Sequence, residues 1–193
     1  MAGGTCHKRT STHSAFRLRC SERVSTRHNR NWPVQLVVFD LDETLTLVTF
    51  QISERDKPEV QQLVAGICFE TPWVEGSRRD KLRDMFEGLA AGKDGQRRAL
   101  AILTKNNGDA KDVLRLLRAA GLADLISVIW MCPWRPGKVN GAYQQNGEWH
   151  IFEPPTRSVS PHKADLLLQV ARKPALWFPQ LVNGGVEELP SLQ

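Results

Sequence analysis

Apolar and polar residues follow two periods along this chain, one typical of strands and one typical of helices. Three short apolar runs, at 34–39, 99–103 and 125–130, predict buried parallel strands. Apolar residues at helical spacing before and after the second run predict a helix on either side of it, and Gly121 is a natural stop for the later helix. Strands that alternate with amphipathic helices indicate an α/β fold, for which we expect a doubly wound parallel sheet.

The last third of the chain predicts elements of both kinds. Residues 143–152 are typical of a hairpin that turns at Asn146–Gly147, the strongest short hairpin signal. Ser160 and Pro161 favour a helix start, with Ser as the cap and Pro at the first helical position. The apolar run 175–178 then predicts a short fourth strand.

Composition divides the chain at about residue 33. The formal net charge of +5 is concentrated in residues 1–33, where seven Lys and Arg residues stand against one acid, Glu22. We expect this segment to be a disordered basic tail or an organellar transit peptide, and residues 34–193 to form one folded domain. Residues 47–80 fit no clear pattern and are interpreted as a small insertion or a long loop, so the domain should carry a small cap or none.

The composition argues against nucleic acid and membranes as partners. Outside residues 1–33 the acidic and basic residues nearly balance, and the basic segment offers only Phe16 and Trp32 to stack on bases. No apolar run approaches the roughly 18 residues that span a bilayer. The four cysteines lack metal-type spacing and are expected to be reduced thiols. The expected compartment is the cytoplasm, or a mitochondrion or plastid if the basic segment is a transit peptide.

Polar side chains follow two of the predicted strands. Asp40 and Asp42 come directly after the first strand, and Thr104 follows the second. Lys163 lies near the start of the helix that precedes the predicted fourth strand. Ligands of α/β sheets bind at the carboxyl ends of the strands, so these side chains are candidates for one site.

These motifs resemble those of the haloacid dehalogenase-like superfamily. Residues 37–46 match its first motif, a hydrophobic strand followed by D-x-D-x-T, and residues 103–106 resemble its second, a strand that ends in Thr or Ser. Lys163 lies where the lysine of the third motif is expected, and the resemblance covers roughly residues 34–178. It implies a magnesium-dependent phosphomonoester hydrolase, acting on a phosphorylated small molecule or a phosphoprotein through an aspartyl-phosphate. The sequence does not predict an oligomeric state.

The roles that this chemistry requires can be assigned to four residues. Asp40 is the candidate nucleophile, and Asp42 is the candidate acid that protonates the leaving alcohol and then activates water. Thr104 is expected to donate its hydroxyl to a phosphoryl oxygen, and Lys163 to neutralise charge on Asp40 and the phosphoryl group. Because a dehalogenase expels halide and needs no such acid, Asp42 favours a phosphatase.

Further residues are expected around the phosphoryl group and the metal. Lys105 and Asn106, directly after Thr104, are candidate substrate-binding residues together with Thr104 and Lys163. Mg²⁺ prefers oxygen ligands, and the resemblance implies the Asp40 carboxylate and the main-chain carbonyl of Asp42. Structural alternatives stay open: Asp42 and Thr104 as caps of a turn or helix, and Lys163 as a solvated surface lysine.

The sequence departs from the family pattern after the predicted fourth strand. The family places one or two acids there to complete the metal site, but Phe178 is followed by no Asp, and the next acids are Glu187 and Glu188. Three explanations are open. A splice or gene-model error has altered the C-terminal end, so that the domain is incomplete; the protein is a catalytically impaired phosphatase or a phospho-ligand binding module; or Glu187, Asn183 or water completes the site.

Deletion of residues 1–33 tests the predicted division of the chain. Because this segment lacks apolar periodicity, its removal should leave the melting temperature and any Mg²⁺-dependent activity unchanged. Thermal denaturation of the full-length and shortened chains checks this. A large drop in melting temperature would show that the segment packs on the domain.

Overall fold

The computed structural model describes residues 35–53, 56–71, 75–91, 98–137, 139–153 and 160–178, all within one unit, Trp32–Gln193. The predicted basic tail, the boundary at Val34 and the residues after Phe178 lie outside the described ranges. Besides short helical turns at Leu41–Leu45 and Ala123–Leu125, the described ranges contain five strands and five α-helices in chain order. They are β1 (Gln35–Phe39), α1 (Pro58–Phe69), α2 (Arg78–Ala91), β2 (Arg98–Thr104), α3 (Ala110–Ala120), β3 (Val128–Met131), β4 (Asn140–Gln145), β5 (Glu148–Phe152), α4 (Lys163–Arg172) and α5 (Pro174–Trp177).

The sheet is mixed and follows the chain order β1-β2-β3-β4-β5. The pairs β1–β2 and β2–β3 are parallel, whereas β3–β4 and β4–β5 are antiparallel. The α/β class is therefore confirmed, but the parallel arrangement holds for three strands only. Among the described strands the order does not reverse, so this sheet does not establish a doubly wound topology. The predicted hairpin is confirmed, and Asn146 and Gly147 both have positive φ, as its tight turn requires.

Helices cover both faces of the sheet. Leu100 and Ile102 of β2 belong to one apolar cluster with residues of α1 and α3, and Ala101 and Leu103 belong to another with residues of α4 and α5. Strand β2 is thus buried on both sides, which explains why its sequence is continuously apolar rather than alternating. Within the described ranges, no helix is both long and apolar enough to span a membrane.

Part of the stretch 47–80 forms structure that the sequence did not predict. Residues 58–69 form helix α1, and Ala65, Cys68 and Phe69 bury one face of it in the cluster beside α3. Glu70, directly after α1, accepts hydrogen bonds from the backbone N–H of Arg78 and from the side chain of Arg79, the residues that begin α2. A long loop is therefore the wrong interpretation of residues 58–69, which belong to a helical layer on the sheet.

Two predictions in the C-terminal part are wrong. Helix α4 begins at Lys163 rather than at Pro161, and the Ser160 hydroxyl accepts from the backbone N–H of His162 instead of capping the helix. Residues 175–178 are not a strand: α5 spans Pro174–Trp177, and its Trp177 carbonyl accepts from Nε1 of Trp130 at 3.2 Å. A short apolar run does not by itself distinguish a buried strand from a buried helix, and Pro174 at the first position favours the helix.

Two glycines offer a matched test of the helical layer. Gly121 ends α3 with φ at +72° and Gly88 lies inside α2, and a Cβ at either position would meet no atom within 4 Å. Gly121→Ala should lower the free energy of unfolding by about 1 kcal/mol, because an L-residue is strained in the left-handed region. Gly88→Ala should raise it by about 0.5 kcal/mol, because Ala restricts the unfolded chain more than Gly does. Urea denaturation of the two variants checks the opposite signs.

Candidate active site

Asp40 lies at the carboxyl end of β1 and is paired with a distant lysine. Its Oδ1 accepts from the backbone N–H of Leu41 at 2.8 Å and from Nζ of Lys163 at 2.5 Å. Lys163 is the first residue of α4, so the helix that covers one face of the sheet carries the ammonium to the end of β1. The Asp40 side chain is 42% exposed and that of Lys163 is 33% exposed, so a ligand can reach both.

The carboxylate of Asp42 has a different environment from that of Asp40. The chain turns after β1, with Asp42 extended and Glu43 in the left-handed region at φ 57°. Asp42 Oδ1 accepts from the backbone N–H of Phe50 at 3.3 Å, and Oδ2 accepts from the Thr104 hydroxyl at 3.1 Å. The Asn106 side-chain amide donates to both oxygens, at 3.1 and 3.0 Å. Donors from two chain segments therefore hold Asp42.

Thr104 and Asn106 are buried at the carboxyl end of β2. Besides its contacts with Asp42, the Asn106 amide donates to the carbonyl of Phe50 at 3.1 Å, and its side-chain carbonyl accepts from the N–H of Gly108 at 2.8 Å. The sequence predicted contacts from Thr104 and Asn106 to a phosphoryl group. In the structure both side chains donate to Asp42 instead, and their contact with substrate stays a prediction.

The Lys105 side chain contacts two further loops. Its ammonium donates to the carbonyl of Pro161 at 3.2 Å and lies 4.9 Å from the ring centroid of Trp134. Trp134 follows β3 and is 59% exposed. Lys105 therefore links the loop after β2 to the residues that precede Lys163, and the cation–π contact adds to this link.

Thr46 and Phe50 contribute to the site although the sequence analysis missed them. The N–H and the hydroxyl of Thr46 both reach the carbonyl of Leu41, at 2.9 and 3.0 Å, and close the turn that presents Asp42. Thr46 is buried, whereas Thr44 of the D-x-D-x-T pattern is exposed. Phe50 acts through its backbone, so its residue type carried no signal. Thr46, the threonine two residues after Thr44, was a signal that could have been used.

Two buried thiols flank the acidic and basic groups of the site. Burial, and secondarily the charge of Asp42, raises the pKa of Cys68 to about 11. Burial also raises the pKa of Cys132, although the positive charges of Lys105 and Lys163 oppose the shift. Both thiols therefore stay protonated at neutral pH, and within the described ranges both cysteines are free.

The donor set suits Mg²⁺ only in part. Oδ2 of Asp40 has no hydrogen-bond partner among the described residues, which leaves one carboxylate oxygen available for a cation or for substrate. Both oxygens of Asp42 accept hydrogen bonds, so only its main-chain carbonyl remains as the implied ligand. The part of the chain that the structure describes contains no cluster of three metal-ligating side chains. Helix α5 stands where a further parallel strand was predicted, so the described residues provide no strand end at which a further acid would be expected.

A depression of about 500 Å³ lies beside Asn106. It contacts the site through Asn106 and through the segment that follows Phe50, and Asp40 does not line it. Its lining includes Gln51, Ile52, Ser53, Asp56, Asn106, Asn107, Gly108 and Asp112. The depression therefore reaches the candidate site at Asn106, and neither Asp40 nor Asp42 lines it.

Comparison with known proteins does not assign a family. No family model, no curated protein and no solved structure matches this chain. The likeness to the haloacid dehalogenase-like superfamily therefore remains a resemblance of motifs, and the function has to be argued from the side chains themselves.

The two threonines after Asp42 provide a test of the turn. Thr46→Val should lower the free energy of unfolding by about 1 kcal/mol, because it removes a buried hydrogen bond without changing the side-chain shape. Thr44→Val should change it by less than about 0.5 kcal/mol, because Thr44 is exposed. Equilibrium unfolding in urea measures both, and equal effects would contradict the assignment of Thr46 as the residue that closes the turn.

Proposed function

We propose that this protein is a phosphomonoester hydrolase that works through an aspartyl-phosphate on Asp40. The observation that carries the proposal is the pairing of Asp40 with Lys163 at the end of the half-buried parallel strand β1, across 123 positions of sequence. A solvent-accessible carboxylate beside a fixed ammonium suits attack on a dianionic phosphoryl group, because the cation offsets the repulsion between the two anions.

In the first step Asp40 forms the new bond to phosphorus. Oδ2 is the oxygen free of hydrogen bonds among the described residues, so its lone pair is available for attack, while Oδ1 keeps its contacts with Lys163 and Leu41. The bond between phosphorus and the leaving oxygen breaks, and the electron pair leaves with the alcohol. Lys163 is placed to neutralise charge on the phosphoryl oxygens as the bond forms.

Asp42 supplies and recovers the proton. The leaving oxygen takes a proton from Asp42, and in the second step water attacks phosphorus, releases Asp40 and returns a proton to Asp42. The N–H of Phe50 and the Asn106 amide can only donate, so Thr104 is the one partner of Asp42 among the described residues that can also accept. A protonated Asp42 would therefore carry its proton on Oδ2, beside the Thr104 hydroxyl.

Mg²⁺ would supply further neutralisation of the phosphoryl oxygens, held by Asp40 and the carbonyl of Asp42. The substrate class we propose is a phosphorylated small molecule or phosphoprotein, since Asp40 lies at an open surface. A haloacid dehalogenase-like, doubly wound sheet is part of the same proposal. It requires another strand beside β1, which residues outside the described ranges would have to provide.

A phospho-ligand binding module without turnover is the second candidate. In the described part of the chain no third metal-ligating side chain is grouped with Asp40 and Asp42, and a Mg²⁺ site that lacks one carboxylate binds the ion more weakly. Lys163 and Lys105 would still attract a phosphate, so binding without hydrolysis is the expected behaviour of this alternative.

Replacement of the nucleophile tests the proposed function. Asp40→Asn should reduce Mg²⁺-dependent hydrolysis of para-nitrophenyl phosphate by well over tenfold, and each tenfold corresponds to about 1.4 kcal/mol of barrier. The reason is that an amide cannot form the aspartyl-phosphate. Steady-state rates and the melting temperature are measured together, because loss of one exposed ion pair should cost at most about 1 kcal/mol of stability.

Asp165→Asn is the matched control, because Asp165 is an exposed acid in the same first turn of α4 as Lys163. It should keep the wild-type rate. Activity of Asp40→Asn within tenfold of wild type would exclude Asp40 as nucleophile. Tight binding of inorganic phosphate by a wild-type protein that hydrolyses nothing would instead favour the binding module.

A further inference from the structure

Asn106 is the most fully hydrogen-bonded side chain at the carboxyl end of β2. Its amide nitrogen lies 3.1 and 3.0 Å from the two oxygens of Asp42 and 3.1 Å from the carbonyl of Phe50. Its side-chain carbonyl accepts from the N–H of Gly108 at 2.8 Å. Three segments of the chain therefore meet at one amide: the turn after β1, the loop at Phe50 and the loop that leads into α3.

These contacts occupy both N–H donors of the Asn106 side chain. A side-chain amide carries two N–H groups, and here they serve two carboxylate oxygens and one backbone carbonyl. The side chain is only 7% exposed. A phosphoryl group on Asp40 could gain a hydrogen bond from Asn106 only if Asp42 or Phe50 lost one.

The same contacts fix the rotation of the Asp42 carboxylate. The terminal torsion of an Asp side chain is soft and has no sharp preferred angle of its own, so its orientation has to come from its partners. Thr104 and the N–H of Phe50 each hold one oxygen, whereas Asn106 alone contacts both. The plane of the carboxylate therefore depends on Asn106 more than on any other described partner.

We infer that Asn106 is a positioning residue that orients Asp42 for proton transfer to the leaving group, and that it does not bind the phosphoryl group. The inference rests on the proposed function, because it assigns the geometry of the acid in that reaction. It replaces the role that the sequence favoured for Asn106, contact with substrate.

Two substrates with the same phosphoryl group separate the two roles. Para-nitrophenyl phosphate has a good leaving group that needs little protonation, whereas β-glycerol phosphate expels an alkoxide that requires a general acid. Asn106→Ala should reduce kcat for β-glycerol phosphate by about a hundredfold, the lower range for loss of general acid–base catalysis. It should change kcat for para-nitrophenyl phosphate by less than about fivefold on the same principle, with KM for both esters near the wild-type value.

Three companion variants make the result specific. Asn107→Ala is the matched control, because Asn107 is the exposed neighbour of Asn106, and it should behave as wild type. Asn106→Asp keeps the acceptor for Gly108 but loses the amide donors, so it should reproduce the selective loss even if Asn106→Ala folds poorly. Asp42→Asn should show the same selectivity, and the Asn106→Ala change should add little to it, since residues that act as a unit are not additive.

Equal losses on both esters, or a raised KM for both, would place Asn106 on the phosphoryl group and overturn the inference. An unchanged rate for β-glycerol phosphate would overturn it as well. If the wild-type chain hydrolyses neither ester, the proposed function fails, and a double-mutant cycle on unfolding decides the contact alone. Asn106→Ala should then raise the unfolding equilibrium constant by about tenfold more in the wild-type background than in the Asp42→Ala background. If the two backgrounds gave the same effect, the Asn106–Asp42 contact itself would be refuted.

Discussion

The carboxylate of Asp42 is the point at which the turn after β1 is attached to the end of β2. Parallel pairing brings Phe39 opposite Ile102, so the residues that follow the two strands emerge side by side. Backbone pairing alone does not decide which way the turn folds. Thr46 closes the turn on the Leu41 carbonyl, and the hydrogen bonds from Thr104 and Asn106 attach it to β2 through Asp42, because a partly buried carboxylate without donors would be unfavourable. The position of Asp40 beside Lys163 depends on that attachment.

The helical layer that contains α4 and α5 supplies the cation of the site, Lys163. Leu166 and Val170 bury one side of α4 in the cluster that contains Trp130 and Trp177, and this packing holds the start of the helix at the end of β1. A lysine in the first turn is not favoured by the helix dipole, and the Lys163 ammonium instead finds a carboxylate. The apolar core thus contributes to the site by fixing where one ammonium can reach.

How much was predictable follows from the kind of signal each element carries. Strands β1 and β2, the hairpin and the stop of α3 at Gly121 depend on local apolar runs and turn residues. These predictions agree with the structure, except that the described side chains of β1 are half-buried rather than buried. Helix α1 and helix α5 were missed for different reasons. Three residues of α1 with large apolar side chains (Val60, Leu63 and Ile67) are exposed, which obscures its amphipathic pattern. The four residues of α5 are too few for a helical period to be distinguished from a strand.

The site shows the same division between local and tertiary information. The candidate residues Asp40, Asp42, Thr104 and Lys163 could be selected from their places at the ends of predicted elements. The position of Lys163 beside Asp40 was also expected, and the structure pairs the two. The contact from Thr104 to Asp42 was not predicted, because it joins positions 62 residues apart and depends on the turn after β1. The contribution of Phe50 was invisible in principle, since a backbone N–H is common to nearly every residue type.

The two carboxylates of the motif end in environments that suit different chemical tasks. Asp40 is exposed, paired with a cation and has one oxygen free of partners among the described residues, which is what a nucleophile needs. Asp42 is held by donors on both oxygens. Among its described partners, only the Thr104 hydroxyl can accept a hydrogen bond as well as donate one. Neighbouring carboxylates acquire separate roles when their surroundings differ in this way. The Asn106 amide donates to both oxygens of Asp42, so part of the difference between the two carboxylates depends on a side chain that follows β2.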